Sequence, residues 1–308
     1  MTWEFETIKW IVFNIAVVVM IWIDLKIFHK REHEVSVKES LIWSGIWIVI
    51  ALLYAVFVYW WKGPVPAAEY VTGYIIERSL SIDNIFVFIV IFAYFKVPKL
   101  HQHKVLMWGI IGALALRLVL ILVGAWLIEQ FEWVIYIFGA FLIFTGIKLA
   151  FQGESEEDPS KNPAVRLFKK FYRVTDHYHG SKLTIIQHGK RLATPMMVVL
   201  VAVAFSDVLF AFDSIPAIFA VTRDPFIVYT ANVFAVLGLQ AMYFALAAII
   251  DRFHYLKYGL AVVLVFIGGK MLLAHTQWEI PIGVSLAVVA GVLTLSVLIS
   301  MLMPKHKV

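Results

Sequence analysis

The chain has 308 residues, of which 62% are hydrophobic and 15% charged, with a formal net charge of +5 and a mean hydropathy of +0.86. That balance excludes a soluble globular domain, which needs far more polar surface. The absence of cysteine excludes a disulfide frame, a thiolate metal site and thiol catalysis, and the spread of basic residues over connecting segments argues against nucleic acid as a partner.

Apolar runs close to the length of a bilayer core recur along the chain, which predicts an all-α polytopic membrane protein surrounded by lipid. Nine spans are expected, over about 9–28, 41–61, 69–96, 104–129, 133–151, 193–222, 226–250, 256–275 and 280–303, with Pro98, Pro195, Pro225, Pro281 and Pro304 punctuating their ends. The first run lacks a basic leading region and contains Asp24, so it reads as a span rather than a cleaved signal peptide. Alternate connecting segments hold 19 and 3 Lys and Arg residues. This contrast predicts the N-terminus outside and the C-terminus in the cytoplasm.

The segment 152–192 is the one sizeable soluble piece, on the cytoplasmic side. It opens acidic, after which Asn162 and Pro163 have the pattern of a helix cap and first helical position. Val165, Phe168 and Tyr172 share a face opposite Arg166, Lys169, Lys170 and Arg173. A helix lying on the membrane surface is expected, and docking of a membrane-protein partner is the sharper alternative. Beyond it, "TIIQHGKRLAT" reads as a hairpin turning at Gly189.

Three matches in order define an internal repeat. "ERSLSIDNIF" (77–86) aligns with "DVLFAFDSIP" (207–216), pairing Glu77 with Asp207, Asp83 with Asp213 and Asn84 with Ser214. "ALRLVLIL" (115–122) aligns with "GLQAMYFA" (238–245), pairing Arg117 with Gln240, and "FTGIKL" (144–149) with "FIGGKM" (266–271), pairing Lys148 with Lys270. The predicted units cover about 69–151 and 193–275. Three spans per unit invert the second unit relative to the first, an arrangement whose sites lie near the midplane between units. The spans 9–28, 41–61 and 280–303 are then peripheral.

Eight ionisable residues fall well inside the spans: Glu77, Arg78, Asp83, Arg117, Lys148, Asp207, Asp213 and Lys270. Asp, Lys and Arg each cost about 2.5–3.5 kcal/mol at a helix centre by insertion scales, so these groups are expected to meet each other, water or an ion. Glu77, Ser81 and Asn84 share one helix face, as do Asp207, Ala211 and Ser214. Glu77 and Asp83, like Asp207 and Asp213, stand about 120° apart and about 9 Å along an ideal helix. Either the helix unwinds between them, or an ion takes ligands from both units. Pro216 favours local breakage and leaves the Phe212 carbonyl without its helical donor. Carboxylate, amide, hydroxyl and carbonyl oxygens suit Mn²⁺, Mg²⁺ or Ca²⁺. Glu77, Asp83, Asn84, Asp207, Phe212, Asp213 and Ser214 are the candidate ligands, and Arg78, Arg117, Lys148 and Lys270 are candidates for balancing charge. Lys148 and Lys270 are also expected near cytoplasmic span ends, where snorkelling would suffice. Four buried acid–base pairs holding the bundle together are the alternative. No catalytic constellation is recognisable, so an enzyme is not expected.

The stretches "GYIIERSLSIDNIFVF" (73–88), "ATPMMVVLVAVAFSDVLFAFDSIPAIFAVTRDPFIVYTANVFAVLGL" (193–239) and "LKYGLAVVLVFIGGKML" (256–272) resemble the TerC family of bacterial membrane proteins, close to its Alx-type members, over nearly the whole chain. The resemblance implies a nine-span protein of the bacterial inner membrane, related to LysE-like transporters. It implies Mn²⁺ export or supply of metal to proteins outside the cytoplasm, with Mn²⁺ as cargo and no obligatory cofactor. Glu77, Asp83, Asp207 and Asp213 match the acidic motif positions of the family. A tellurite-resistance label also attaches to it. A non-transporting scaffold or assembly factor, serving envelope stress, tellurite resistance or metalation of secreted proteins, is the alternative. Two positions depart from the family pattern: Ala204 stands where glutamate is usual and Gln240 where arginine is usual.

Overall fold

The computed structural model describes residues 2–28, 36–131, 133–151, 162–187, 189–247, 255–273, 276 and 280–302. The chain divides into two compact units, Met1–Val35 and Ser36–Val308. The described residues of the first form one helix, α1 (Thr2–Phe28), along which Asn14 donates to the Trp10 carbonyl at 2.9 Å and Lys26 lies over the Trp22 ring.

The second unit runs α2 (Val37–Lys62), α3 (Pro64–Tyr94), α4 (Lys99–Gln130), α5 (Val134–Phe151), α6 (Pro163–Phe171), β1 (Thr184–Gln187), β2 (Lys190–Ala193), α7 (Pro195–Phe219), α8 (Pro225–Leu237), α9 (Leu239–Leu246), α10 (Leu256–Leu272) and α11 (Ile282–Leu302). Proline at the first positions of α3, α6, α7 and α8 needs no amide donor there and presets the helical φ. The chain is an all-α polytopic membrane protein. Six described helices are long and apolar enough to cross a bilayer, and α8–α9 adds a seventh if the bent pair is one span. The remaining long helices are α3, 31 residues interrupted by Glu69, Glu77, Arg78 and Asp83, and α10, of 17 residues.

One expected span is not a single helix. The run 226–250 is broken at Gly238, where α8 and α9 meet at 40°. Arg78 of α3 explains the break. Its Nη1 donates to the Ala235 carbonyl at 3.0 Å, and a Cβ on Gly238 would fall 2.3 Å from that nitrogen.

α3 packs against α7 and α8, α4 against α7 and α8, and α5 against α10. The α5–α10 contact is antiparallel and close enough to exclude side chains. A Cβ on Gly268 would lie 2.5 Å from the Gly139 carbonyl oxygen, and one on Gly146 would lie 2.8 Å from that of Ala261. Small residues let backbones approach where no hydrophobic effect drives helices together in lipid.

The segment before α7 packs on the protein itself. Asn162 caps α6, accepting from the amides of Ala164 at 3.0 Å and Val165 at 3.4 Å. Val165 is buried in the same cluster as Met196 and Val199, with Phe168 packed against it, and α6 rests on α7. Two of the three residues of the expected membrane-facing stripe therefore meet protein, while Tyr172 remains exposed. β1 and β2 pair as a hairpin, with Gly189 at φ +70°. The Tyr178 hydroxyl donates to the Phe95 carbonyl at 2.7 Å, tying this segment to the α3–α4 turn. Its burial pushes the phenol pKa above the ordinary value.

Candidate functional site

The middles of α3, α4 and α7 meet at three charged side chains. Arg117 of α4 donates through Nε to Asp207 Oδ2 at 3.2 Å and through Nη2 to Asp207 Oδ1 at 3.0 Å. Its Nη1 donates to Glu77 Oε1 of α3. Exposure is 0% for Arg117 and Glu77 and 3% for Asp207. A planar guanidinium suits this role because its fixed fork can serve one carboxylate with two bonds and still reach a second. Two carboxylates and one guanidinium leave a formal charge of −1, and Glu77 Oε2 has no hydrogen-bond partner among the described residues.

A small cavity reaches this centre. Its lining includes Phe88 of α3, Gly109 and Ala113 of α4, Val203 and Asp207 of α7, and Leu239 of α9. Asp207 is the one charged group in it.

The candidate ligands do not converge on one point. α7 continues without a break from Asp207 through Asp213, with Pro216 inside the helix, and α3 is likewise continuous past Glu77 and Asp83. The expected unwinding is therefore absent, and the angular offset between acids six residues apart persists. Asp213 turns to α5, where it hydrogen-bonds Thr145 with Lys148 nearby. The Phe212 side chain is 52% exposed. Asn84 and Ser214 are buried on the same faces as Glu77 and Asp207. The side chain of Asp83 lies outside the described residues. Among the described residues, no three His, Asp or Glu side chains are arranged to hold a metal ion, and Arg117 bridges Glu77 and Asp207.

The other basic candidates separate as well. Arg78 binds a carbonyl and packs on Gly238, with no carboxylate partner among the described residues. Lys270 lies near Glu69 at the start of α3. Lys148 is in the last turn of α5 and Lys270 in the last turn of the antiparallel α10, so the two lysines sit at opposite ends of that helix pair. The expectation that both lie at cytoplasmic ends does not hold. Near Lys270 the Thr222 hydroxyl donates to Glu69 at 2.7 Å, and Lys62 pairs with Asp224, which also caps α8. Ala204 lies one turn before Asp207, half-buried. Gln240 is buried and donates to the His103 carbonyl at 3.5 Å.

Sequence reasoning missed Thr145 and Asn232. Asn232 is fully buried, and neither end of its amide has a partner among the described residues. Its signal was an amide in the middle of a largely apolar helix, α8.

These features define a polytopic α-helical membrane protein with a buried charged centre. The chain belongs to the integral membrane protein TerC family, whose model matches residues 62–308. It is 46% identical over 297 residues to an uncharacterized membrane protein of Myxococcus xanthus, covering 96% of this chain and 93% of that one. It is 46% identical over 300 residues to the Escherichia coli K12 protein named "Putative membrane-bound redox modulator Alx", covering 94% and 93%. A Rickettsia bellii membrane protein is 39% identical over 294 residues, covering 96% and 97%. No solved structure matches.

Proposed function

We propose that this chain is a transporter exporting a hard divalent cation, Mn²⁺, across the bacterial inner membrane by alternating access of two inverted three-helix units. The observation that carries the reading is the central triad, in which one guanidinium holds the matched acids Glu77 and Asp207 of the two units at mid-helix. Intramembrane carboxylates are expensive and commonly mark ion pathways, and here one carboxylate oxygen is left free beside a net negative charge.

The packing supports the inverted units. Exchanging α3 with α7, α4 with α8–α9 and α5 with α10 turns the α3–α8 contact into α7–α4, and both occur. By the alignment of Lys148 with Lys270, the same exchange turns the close contact of Gly139 and Gly268 into that of Ala261 and Gly146, and both occur. A two-fold relation between antiparallel units has this property. Nine spans follow if α3 and α10 cross along with the six apolar helices and the bent pair.

In this reading Glu77 and Asp207 hold the cation when Arg117 withdraws, with Asn84 and Ser214 as neutral oxygen donors on the same faces. Asp83, Asp213 and the Phe212 carbonyl serve at other points of the path. The relatives' redox name reaches this chain only through an ion it moves, since a chain without cysteine performs no thiol–disulfide exchange of its own. The test is Mn²⁺ accumulation by everted membrane vesicles, or Mn²⁺ flux in liposomes containing the purified chain. Glu77→Gln and Asp207→Asn are expected to abolish flux. Parental flux in both variants, from a parent that itself exports, removes this site from the mechanism.

One observation favours a non-transporting scaffold instead: Leu167, Phe171 and Ile186 are exposed on the segment before α7. Under that reading Leu167→Glu with Phe171→Glu destroys function in cells, and the parent moves no divalent ion in liposomes.

A further inference from the structure

Beyond the triad, on the side away from the cavity, lies a layer of polar groups with nothing to bind. The stripe on α7 that lines the cavity at Val203 and Asp207 continues by helical spacing to Ala211 and Ser214. On α8–α9, Val236 and Leu239 line the cavity, and the residue one turn before Val236 on that face is Asn232. On α3 the cavity residue Phe88 lies on the stripe that leads back through Asn84 and Ser81 to Glu77. The three stripes therefore run from the cavity, past Asp207, to Ser214, Asn232 and the free oxygen of Glu77.

Their level is set by Gly73, whose missing Cβ would sit 3.1 Å from Ile218 of α7 and 3.4 Å from Ala231 of α8. α3 and α7 are antiparallel, since Phe88 clusters with Val199 and Val203 whereas Ile76 and Leu80 cluster with Ala217. One turn inward from the Gly73–Ile218 contact, Glu77 stands opposite Ser214. Asn232 directly follows Ala231. Exposure is 0% for Asn232 and Glu77 and 2% for Ser214. Glu77 Oε2, Ser214 Oγ and both amide atoms of Asn232 have no hydrogen-bond partner among the described residues.

A buried polar group left unpaired costs about 1–3 kcal/mol, and several occur here within about one helical turn of each other, beside a net negative triad. All three side chains offer oxygen acceptors, and the net negative charge at Glu77 disfavours an anion. That set gives an apolar solute nothing to bind and suits a hard cation that has shed part of its water. We propose that Asn232, Ser214 and the free oxygen of Glu77 form a second cation station, separated from the cavity by the Arg117 plug. The station rests on the transporter reading and extends it: a cation leaving the cavity side passes Arg117 and is received here.

The test uses the purified full chain in detergent, with thermal unfolding followed as Mn²⁺ is titrated, and parallel flux measurements in liposomes. Without metal, Asn232→Leu is expected to melt at or above the parent temperature, because it replaces an unpaired amide by an apolar group of similar size. Its Mn²⁺ midpoint is expected to rise by about tenfold or more, and Asn232→Asp is expected to recover the response. A parent that transports Mn²⁺ alongside an Asn232→Leu midpoint equal to the parent's overturns the station and leaves the transporter reading standing. A lower metal-free melting temperature with an unchanged midpoint likewise overturns it and makes the amide structural. A parent that neither binds nor moves Mn²⁺ overturns both. Should Asn232→Leu not fold, Asn232→Ala, which only removes atoms, is read for its midpoint in the same way.

Discussion

α4 and the α8–α9 pair carry matched sequence, "ALRLVLIL" against "GLQAMYFA", yet the fold treats them differently. α4 is one helix of 32 residues with a buried guanidinium at its middle. Its counterpart is broken by 40° and presents Gln240, which bonds a carbonyl rather than an acid. The positive charge at the centre therefore comes from one unit alone, although it serves an acid from each. The difference shows that a repeated pattern can set two similar frames while single residues decide which frame holds the charge and which one bends.

The largest expected effect tests that division of labour. Arg117→Ala leaves two buried carboxylates unpaired and is expected to cost about 3–5 kcal/mol, measured as loss of thermal or denaturant stability in detergent. Gln240→Ala, which removes a neutral group with one long hydrogen bond, is expected to cost about 1 kcal/mol. Equal losses at the two positions would mean that the triad does not carry the asymmetry.

The next pair exchanges the residues at the break. Gly238→Ala forces Arg78 away from the Ala235 carbonyl and is expected to cost about 1.5–3 kcal/mol, the range for a hydrogen bond to a charged group. The loss should be non-additive with Arg78→Met in a double-mutant cycle. At the matched position in the unbroken helix, Ala115→Gly is expected to cost about 0.5–1 kcal/mol through helix propensity alone. A stabilising Gly238→Ala would sink the account of the break.

The helix starts differ too. α8 is capped by the Asp224 side chain, whereas α4 begins after Pro98 with no side-chain cap. Asp224→Ala is expected to cost about 1 kcal/mol through the cap. Lys62→Ala, which leaves the cap and removes the partly exposed ion pair together with the Lys62–Trp61 ring contact, should cost at most about 1 kcal/mol. If Lys62→Ala is the more damaging of the two, the ion pair rather than the cap fixes the start of α8.

An effect of similar size is expected at the turn leading into α4. Tyr178→Phe removes the hydrogen bond to the Phe95 carbonyl and is expected to cost about 0.5–1.5 kcal/mol. The folded phenol has a raised pKa, so its contribution is complete below the unfolded pKa of about 10 and is lost as pH rises through the higher folded value. The stability difference between parent and Tyr178→Phe should shrink as pH rises through that window. A difference that grows with pH contradicts burial as the cause.

Much of the frame was readable residue by residue. The expected span over 133–151 became Val134–Phe151, and Asn162 was recognisable as a cap because a side-chain oxygen before Pro163 has few other local uses. The central site was readable only in kind. Glu77, Arg117 and Asp207 stood out as charges in apolar spans, but nothing local tells Asp207 from Asp213, two acids of the same helix. Their directions differ by a fraction of a turn, which sends one to Arg117 and the other to Thr145. The break at Gly238 was missed because its cause, Arg78, comes from a helix about 160 residues earlier.

The sequence by itself determined that this chain is a bundle of membrane helices with acids and bases inside it. Span length answers only to bilayer thickness, and a helix satisfies its own backbone wherever it is placed. The tertiary structure alone decided that Arg117 would hold both Glu77 and Asp207, that Asp213 would turn away, and that Asn232 would stand beyond them without a partner among the described residues. Those outcomes depend on the rotation and register of helices distant in the chain, set by close contacts such as Gly139 with Gly268 and Gly73 with Ile218.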